Sequence, residues 1–302
     1  MTRMRVLHFS DVHVEDGFEG VRWWRFLNKR LIGLANQRLR RGASFARAAE
    51  KVRALGDFAE ALGADVTLGT GDFTVLGTPP ELRYARDVVS GVAAAPLGLV
   101  VVPGNHDLYI EPSAGEASFA EVFDDLLRTD LPELAVDGPW PFVRLFGAHL
   151  AIVGVNSARP NPQIARSSGR IPDAQLEALP RVLSDPRVRT RFVLVATHYA
   201  PRLWDGSPDR RLHGLENADG LLAACAPLEH GAIVHGHVHR PYRVRVPNTR
   251  LPLFCAGSST QEGRGAVWVY DIDAPDRATA TRGQWTGERY ELQPETREAL
   301  FA

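Results

Sequence analysis

Short apolar runs recur over the first 240 residues, and each run ends at a polar or glycine-containing turn. Segments with the apolar spacing of an amphipathic helix separate these runs. The alternation of the two patterns predicts an α/β fold. The predicted strands are residues 6–9, 66–68, 99–102, 151–155, 192–196 and 233–234, and the predicted helices are residues 45–62, 80–92, 117–127, 172–183 and 216–224.

The pattern changes after residue 240, where apolar runs follow one another without helical segments between them. A purely parallel sheet would continue the alternation, so this part favours a mixed sheet or two stacked sheets. The predicted strands here are residues 242–246, 253–256, 266–270 and 285–292. We expect the 302 residues to form a single domain, 1–302, with a β-rich part at about 241–292.

The composition is that of an ordinary globular protein, with 44% hydrophobic and 24% charged residues, which excludes a disordered chain and a coiled-coil rod. The net charge of −1 provides no overall attraction to nucleic acid or to an anionic membrane. Cys225 and Cys255 are too few for a disulfide framework, so we expect buried thiols. No apolar run is long enough to span a bilayer and no secretion signal precedes the first strand. We therefore expect a cytoplasmic protein.

Residues 20–44 stand apart because eight basic residues and no acidic residue lie between Glu19 and Glu50. At about 100° per residue, apolar and basic side chains of this segment fall on opposite faces, which predicts an inserted basic amphipathic helix. The apolar face has Trp23, Trp24, Leu27, Leu31, Leu34 and Ala35, and the basic face has Arg22, Arg25, Lys29, Asn36 and Arg40.

Two interpretations of this helix are open. In the first, residues 22–41 contact anionic lipid or an acyl chain of the substrate, with tryptophan and leucine in the apolar phase and arginine against phosphate. The protein would then lie peripherally at the inner membrane face. In the second, the helix buries Trp23, Trp24 and Leu27 on the sandwich and its arginines are solvated.

Five short motifs rich in histidine and in carboxylate or amide side chains each follow a predicted strand. They are Asp11-Val12-His13, Gly71-Asp72, Gly104-Asn105-His106-Asp107, Thr197-His198 and Gly236-His237-Val238-His239. The carboxyl ends of neighbouring strands converge on one crevice, so we expect these side chains to share one site. Nitrogen and oxygen ligands without a thiolate suit Mn²⁺, iron, Zn²⁺ or Ni²⁺, and they predict a metal centre.

In this order, the five motifs resemble the signature of the calcineurin-like metallophosphoesterases, over about residues 4–245. The resemblance implies a four-layer α/β/β/α sandwich with two mixed sheets and a two-metal centre at the sheet ends. It also implies a ligand set for two divalent ions, for which Mn²⁺ is our first choice. By this resemblance Asp11, His13 and His239 bind the first metal, Asn105, His198 and His237 bind the second, and Asp72 bridges the two.

Such a centre explains why these residue types recur. A carboxylate can join two ions, so Asp72 would set the separation of roughly 3.5–4 Å that is typical of two-metal hydrolases. A water shared by both ions loses a proton near neutral pH and attacks the phosphorus atom, while the ions neutralise the phosphoryl oxygens. The resemblance places His106 beside the second metal as a general acid for the leaving oxygen. The alternative is that His106 only hydrogen-bonds a metal ligand.

Positions at which this sequence differs from the family pattern narrow the range of enzymes that we expect within the family. The Ser/Thr protein phosphatases carry a second acid and an arginine where this chain has Val75 and Leu76, so we do not expect a protein phosphatase. The segments around Asp72 and at residues 168–171 are similar to the bacterial branch that contains class III cyclic-nucleotide phosphodiesterases. That branch often has a second histidine where Tyr199 follows His198, which puts its substrate contacts in doubt here.

We therefore expect a binuclear metal-dependent phosphohydrolase that cleaves a phosphodiester, pyrophosphate or phosphomonoester bond by attack of a metal-bridging hydroxide. The substrate is expected to be a small phosphorylated molecule, lipid-linked or a nucleotide. The alternatives are a cyclic-nucleotide phosphodiesterase and a non-catalytic scaffold that keeps the fold. A nuclease is not expected, because the chain as a whole is neutral. Arg159, Arg166 and His213 lie in loops that could bind phosphate, and the sequence does not select among them.

Overall fold

The computed structural model describes residues 3–16, 21, 26, 28–36, 42–112, 115–246 and 249–301. The α-helices in these ranges are α1 (Lys29–Asn36), α2 (Gly42–Phe45), α3 (Ala48–Leu62), α4 (Pro79–Val88), α5 (Phe119–Val122), α6 (Asp173–Ser184), α7 (Pro186–Arg189) and α8 (Ala218–Cys225). The strands are β1 (Met4–Phe9), β2 (Val66–Gly69), β3 (Leu99–Val101), β4 (Phe142–Phe146), β5 (Leu150–Gly154), β6 (Phe192–Ala196), β7 (Gly231–His235), β8 (Tyr242–Arg245), β9 (Pro252–Cys255), β10 (Ala266–Ala274), β11 (Arg277–Trp285) and β12 (Tyr290–Ala299). None of the helices in the described ranges is long and apolar enough to cross a membrane.

The strands form two six-stranded mixed sheets, in the orders β12-β11-β10-β1-β2-β3 and β4-β5-β6-β7-β9-β8. In the first sheet β1, β2 and β3 are parallel, and β10 pairs antiparallel with β1. In the second sheet β5, β6, β7 and β9 are parallel, and the edge strands β4 and β8 are antiparallel to their neighbours. Each sheet therefore has a parallel centre whose carboxyl ends can carry a ligand site.

Helices cover the outer faces of the two sheets. Leu55 of α3 and Leu82 of α4 belong to the core of the first sheet, and that core also includes Phe192 and Phe254 of the second sheet. Leu179 of α6 packs with α8 in a separate core against the second sheet. These layers confirm the expected α/β/β/α sandwich, and burial of the two apolar cores is its main source of stability.

Most of the elements predicted in the alternating part agree with the structure, but one predicted strand and one predicted helix do not. The expected strand at 285–292 is wrong, because Trp285 ends β11 and Tyr290 begins β12, with Gly287 at φ +111° between them. The expected helix at 117–127 is reduced to the short α5 and a 3₁₀ turn at Asp124–Leu126. The pattern analysis also missed β4 and most of β11.

The expected amphipathic helix at about 20–44 is described only in part, as α1 and α2. Trp23, Trp24, Leu27, Arg22, Arg25, Arg38, Arg40 and Arg41 lie outside the described residues. Within α1, Leu34 packs against an apolar cluster that includes Leu76 and Tyr109, whereas Leu31 is 52% exposed and Ala35 is exposed. The packing interpretation concerns Trp23, Trp24 and Leu27, so it stays a prediction.

Basic side chains anchor α1 to the body of the protein. Arg30 is buried and donates hydrogen bonds to the carbonyl oxygens of Leu76 and Gly77, at 3.0 and 2.9 Å. Lys29 Nζ donates to the carbonyl oxygen of Arg166 at 2.7 Å.

Candidate metal centre

All seven predicted metal ligands follow the carboxyl ends of parallel strands. The loops after β1, β2 and β3 of the first sheet carry Asp11, His13, Asp72 and Asn105, and the loops after β6 and β7 of the second sheet carry His198, His237 and His239. Side chains from both sheets meet there, as the spacing of the motifs predicted. We call Asp11, His13 and His239 the first group, and Asn105, His198 and His237 the second group.

The first group is compact and buried. The Nε2 atoms of His13 and His239 are 3.1 Å apart, and they lie 4.0 and 3.2 Å from Asp11 Oδ1. Ligand atoms of these three residues and of Asp72 all lie within 4.8 Å of one another. Two imidazole nitrogens and two carboxylates at these distances can hold one divalent cation.

The second group is assembled around the amide oxygen of Asn105. His198 Nε2 lies 3.1 Å from Asn105 Oδ1, and His237 Nδ1 lies 3.0 Å from the same atom. Asp72 connects the groups, because its Oδ2 is 3.8 Å from His13 Nε2 and 3.4 Å from His198 Nε2. The structure thus brings all seven predicted ligands together, with Asp72 in the position of a shared ligand.

The backbone at five of these residues is strained. Asp11, His13, Asp72, His237 and His239 have φ between +46° and +71°, and they are the non-glycine residues with positive φ in the described part of the chain. A left-handed conformation costs a non-glycine residue about 1–3 kcal/mol. The surrounding hydrogen bonds hold this strain in place: Asp11 N–H donates to Gly71, and His237 N–H donates to Asp11 Oδ2. The coincidence of strain with the ligand set marks a functional site.

Two glycines allow the carboxylates to approach the backbone. A Cβ atom on Gly104 would lie 2.2 Å from Asp72 Oδ1, and one on Gly236 would lie 2.3 Å from Asp11 Oδ2. Neither position can accept a larger residue without displacing a ligand. The glycines of the Gly-Asn-His-Asp and Gly-His-Val-His motifs are therefore required by the geometry of the ligands.

The electrostatics of the centre favour bound cations. Burial works to raise the pKa of Asp72, but the charges of His198 and His106 outweigh it and hold that pKa well below its usual range. Asp11 Oδ1 is buried without a hydrogen bond in the described part of the chain, and the facing Nε2 atoms of His13 and His239 compete for one proton. A buried acceptor that lacks a donor, beside paired nitrogen lone pairs, suits a cation. The donor set fits a dinuclear divalent metal site.

His106 adjoins the centre without joining either group. Its Nδ1 lies 2.5 Å from the carbonyl oxygen of Val75, and its main-chain N–H donates to Asp72 Oδ1 at 2.7 Å. Its ring packs edge-to-face against His13, with centroids 4.8 Å apart, and lies 5.5 Å from the ring of Tyr109. The contact with Val75 assigns the hydrogen of the neutral ring to Nδ1.

Asp107 has a structural role in the centre. Its Oδ1 accepts hydrogen bonds from the N–H groups of Phe73 and Thr74, and its Oδ2 accepts one from Gly104. Burial, together with the charge of Asp72, raises the pKa of Asp107 to about 7. The side chain therefore joins the loop that carries Asp72 to the loop that carries Asn105.

The structure adds neighbours that the motifs did not reveal. Gln261 Oε1 lies 3.3 Å from His239 Nδ1. His213, which the sequence placed among several loop residues, stacks on His237 and pairs with Asp209. These residues lie in irregular loops, where no apolar run or periodicity indicates that they approach the centre.

Comparison with known proteins identifies the family. The family model described as calcineurin-like phosphoesterase matches residues 4–241. None of the curated protein sequences matches the chain.

Among solved structures, the fold is similar to that of a dimetal phosphatase from Danio rerio, with a TM-score of 0.63 and 12% identity over 99% of this chain and 98% of that one. It is also similar to a purple acid phosphatase from yellow lupin (Lupinus luteus) seeds, with a TM-score of 0.57 and 12% identity over 96% of this chain and 53% of that one. A third similar structure is GAP50, described as the anchor in the inner membrane complex of Plasmodium, with a TM-score of 0.55 and 11% identity over 100% of this chain and 89% of that one. The family match and the seven converged ligands lead to one conclusion: the chain belongs to the calcineurin-like phosphoesterase family and is a metal-dependent phosphoester hydrolase.

Proposed function

We propose that this protein uses two divalent ions, preferably Mn²⁺, to hydrolyse a phosphodiester, pyrophosphate or phosphomonoester bond. The observation that carries the proposal is the convergence of two ligand groups on Asp72, whose Oδ2 lies within 4 Å of a histidine nitrogen from each group. When bound, a pair of divalent ions supplies an activated water and neutralises charge on the phosphoryl oxygens. A complete ligand set argues against a scaffold that has lost catalysis.

The protein side chains orient the ions and handle the proton. Asp72 accepts the N–H of His106 and thereby ties this histidine to the shared ligand. Val75 accepts from Nδ1 of His106, so Nε2 donates a proton to the leaving oxygen only when the ring is doubly protonated. General acid catalysis of this kind contributes about 100- to 10,000-fold in rate.

The test is an activity screen of metal-depleted protein supplied with Mn²⁺, Fe²⁺, Zn²⁺ or Ni²⁺. Phosphomonoesters, phosphodiesters, cyclic nucleotides and lipid pyrophosphates are the substrates, with His106→Ala as the comparison. We expect His106→Ala to keep its metal and lose about 100-fold or more in rate on substrates with poor leaving groups. An unchanged rate on those substrates contradicts the acid role, and no turnover with any ion contradicts the proposed function.

The surface around α1 supports a substrate or surface that is both apolar and anionic. Leu31, Ile164 and Leu212 are each more than half exposed. The three segments that carry them are joined, because Lys29 donates to the carbonyl oxygen of Arg166 and Ser167 N–H donates to that of Leu212. We propose that the protein acts in the cytoplasm on a lipid-linked phosphate, with peripheral contact to anionic lipid through residues 22–41.

Vesicles containing phosphatidylglycerol separate this proposal from the nucleotide alternative. We expect the protein to co-sediment with such vesicles, and the variants Trp23→Ala with Trp24→Ala, and Leu31→Ser with Ile32→Ser, to lose this binding. Turnover of cyclic AMP that survives these substitutions, without vesicle binding by the unaltered protein, favours a cyclic-nucleotide phosphodiesterase instead.

A further inference from the structure

His237 differs from the other predicted ligands because a surface loop, rather than the core, supports the far side of its ring. One face of the ring packs on Tyr199 and another on His213, with centroid separations of 4.2 Å in both cases. Its Nδ1 points to Asn105, on the side of the second group. Its Nε2 points away from the centre and lies 3.1 Å from the carbonyl oxygen and 3.1 Å from Nδ1 of His213.

The protons of this contact can be assigned from chemistry. Asp209 Oδ2 lies 2.6 Å from His213 Nδ1, and a carboxylate only accepts, so Nδ1 of His213 carries the hydrogen and donates it to Asp209. That nitrogen then has no lone pair for His237. Nε2–H of His237 therefore donates to the carbonyl oxygen of His213, and its Nδ1 lone pair is left free for a metal.

The loop is built to hold this arrangement. His213 N–H and Gly214 N–H both donate to the carbonyl oxygen of Arg210, at 2.9 and 2.7 Å, and close a tight turn. A Cβ atom on Gly214 would lie 2.7 Å from Cβ of Asp209, so the glycine lets the carboxylate fold back onto the turn. The Asp209 side chain is only 10% exposed, although that of His213 is 47% exposed.

We propose that Asp209 and His213 are positioning residues that set the tautomer and orientation of His237, and through it the affinity of the second metal site. This inference rests on the two-metal centre of the proposed function. Outer partners of a metal-binding histidine typically change metal affinity about 10- to 100-fold when removed. In the described part of the chain, the contacts of this pair with the centre go through His237, so we expect their removal to act on the second site.

Asp209, His213 and His237 also place ligand atoms within 4.8 Å of one another, which raises the alternative of a third cation. The assignment of protons argues against it. If Nδ1 of His237 is bound to the second metal, Nε2 holds a hydrogen and offers no lone pair. The trio is then a chain of hydrogen bonds that ends at Asp209.

Titration of Mn²⁺ into metal-depleted protein, followed by calorimetry and by the electron paramagnetic resonance of free Mn²⁺, tests the proposal. We expect two equivalents in the unaltered protein. Asp209→Ala and His213→Ala should weaken the second equivalent about 10- to 100-fold and leave the first unchanged. Asp209→Asn, which keeps an oxygen that can accept from His213, should lose only a few-fold. Asp205→Ala removes an exposed carboxylate of the same loop that hydrogen-bonds Ser207, and it should change neither equivalent.

The outcomes are distinguishable. If Asp209→Ala binds each Mn²⁺ equivalent as tightly as the unaltered protein does, the positioning role is overturned and the proposed function is not. Parallel weakening of both equivalents, with a lower melting temperature, shows a general structural role and also overturns it. A third equivalent that disappears in Asp209→Ala makes the trio a ligand set instead. Failure of the unaltered protein to bind any Mn²⁺ removes the two-metal centre itself and contradicts the proposed function.

Discussion

The two ligand groups occupy the same crevice, but different parts of the chain support them. The segment 258–262, which follows β9, holds the backbone of the first group: Ser258 Oγ donates to the carbonyl oxygen of Asp11, and Thr260 Oγ1 donates to that of Val12. Lys51 of α3 in turn holds Thr260, through a bond of 2.8 Å from Nζ to its carbonyl oxygen. In the second group, the exposed loop that carries Asp209 and His213 supports His237, whereas His198 bonds the carbonyl oxygen of Thr70.

Burial makes these supports unequal. Lys51 is fully buried and also pairs with Glu262 at 3.0 Å. If it moved away from the segment 258–262, its buried ammonium group would lose both partners. Phe45 adds an apolar wall, with its ring 4.9 Å from that of His13. The His213 side chain, in contrast, can swing into water at little cost in desolvation. We therefore expect the first metal to bind more tightly and to exchange more slowly than the second.

The largest expected effect removes the residue that the two groups share. Asp72→Ala deletes a ligand of both sites, so both Mn²⁺ equivalents should be lost. The loss of activity should exceed the roughly 100- to 1,000-fold that follows removal of one electrostatic contact. Calorimetry and phosphatase assays measure the two effects. Asp57→Ala, an exposed carboxylate on α3, is the control. Retention of one tight equivalent in Asp72→Ala would show that Asp72 does not bridge.

The next effect acts on the support of the first group alone. Lys51→Met keeps the apolar stem but removes the charge-assisted bond to Thr260, so the free energy of unfolding should fall by about 2 kcal/mol. Because the segment 258–262 then loosens, the first Mn²⁺ equivalent should weaken about 10-fold or more. Urea unfolding and calorimetry measure these changes.

A matched variant separates the two partners of Lys51. Glu262→Gln removes the ion pair, whose acid is 41% exposed, but keeps the bond from Lys51 to Thr260. The bond that holds the segment 258–262 remains, so this variant should bind both equivalents normally, although loss of the counter-charge of buried Lys51 should lower the free energy of unfolding. If Lys51→Met weakens the second equivalent as much as the first, the separate support of the two groups is refuted.

The convergence of the five motifs could be predicted because their position follows from topology. Each motif follows a strand that appears as an apolar run, and strands of this kind end at a common edge. The choice of seven ligands within these motifs, Asp11, Asp72 and His198 among them, is what the family resemblance implies. The rule does not predict the positions of Asp209, His213 or Gln261. These residues reach the centre through irregular loops, whose path depends on turns such as the one at Gly214.

The same reasoning explains the missed strands. Strand β11 runs through Ala278, Thr279, Ala280 and Thr281, which is too weakly apolar to stand out as a buried run although its pairing with β10 holds it in place. Periodicity identifies strands buried on both faces better than strands at the solvated end of a sheet. The central strands of both sheets were therefore predicted well, and the outer part of the first sheet was not.

A smaller effect concerns the orientation of one ligand. Gln261 Oε1 accepts from His239 Nδ1 at 3.3 Å, which directs Nε2 of that histidine to Asp11. Gln261→Ala should weaken the first equivalent up to about 10-fold and leave the second unchanged. Gln261→Glu keeps an accepting oxygen and should restore the affinity. The comparison loses support if Gln261→Glu is as impaired as Gln261→Ala.

The smallest effect tests whether the difference between the groups lies in the loops or in the sheets beneath them. His8 of β1 belongs to the first sheet and His235 of β7 to the second, and both are buried. Burial lowers the pKa of His8 to about 3 and that of His235 to about 4, from 6.5. Below a pH of about 6.5, both histidines are protonated in the unfolded chain but stay neutral in the folded protein. Each histidine therefore destabilises the folded state as pH falls.

Between pH values of about 7.5 and 5.5, each histidine should cost about 1.4 kcal/mol of unfolding free energy. In metal-depleted protein, His8→Gln and His235→Gln should each reduce the acid sensitivity of urea unfolding by that amount. Because both sheets bury a neutral histidine at equivalent depth, the two variants should behave alike and leave the order of Mn²⁺ affinities unchanged. A reversed order in either variant would place the asymmetry of the metal centre in the sheets rather than in the segment 258–262 and the loop of Asp209.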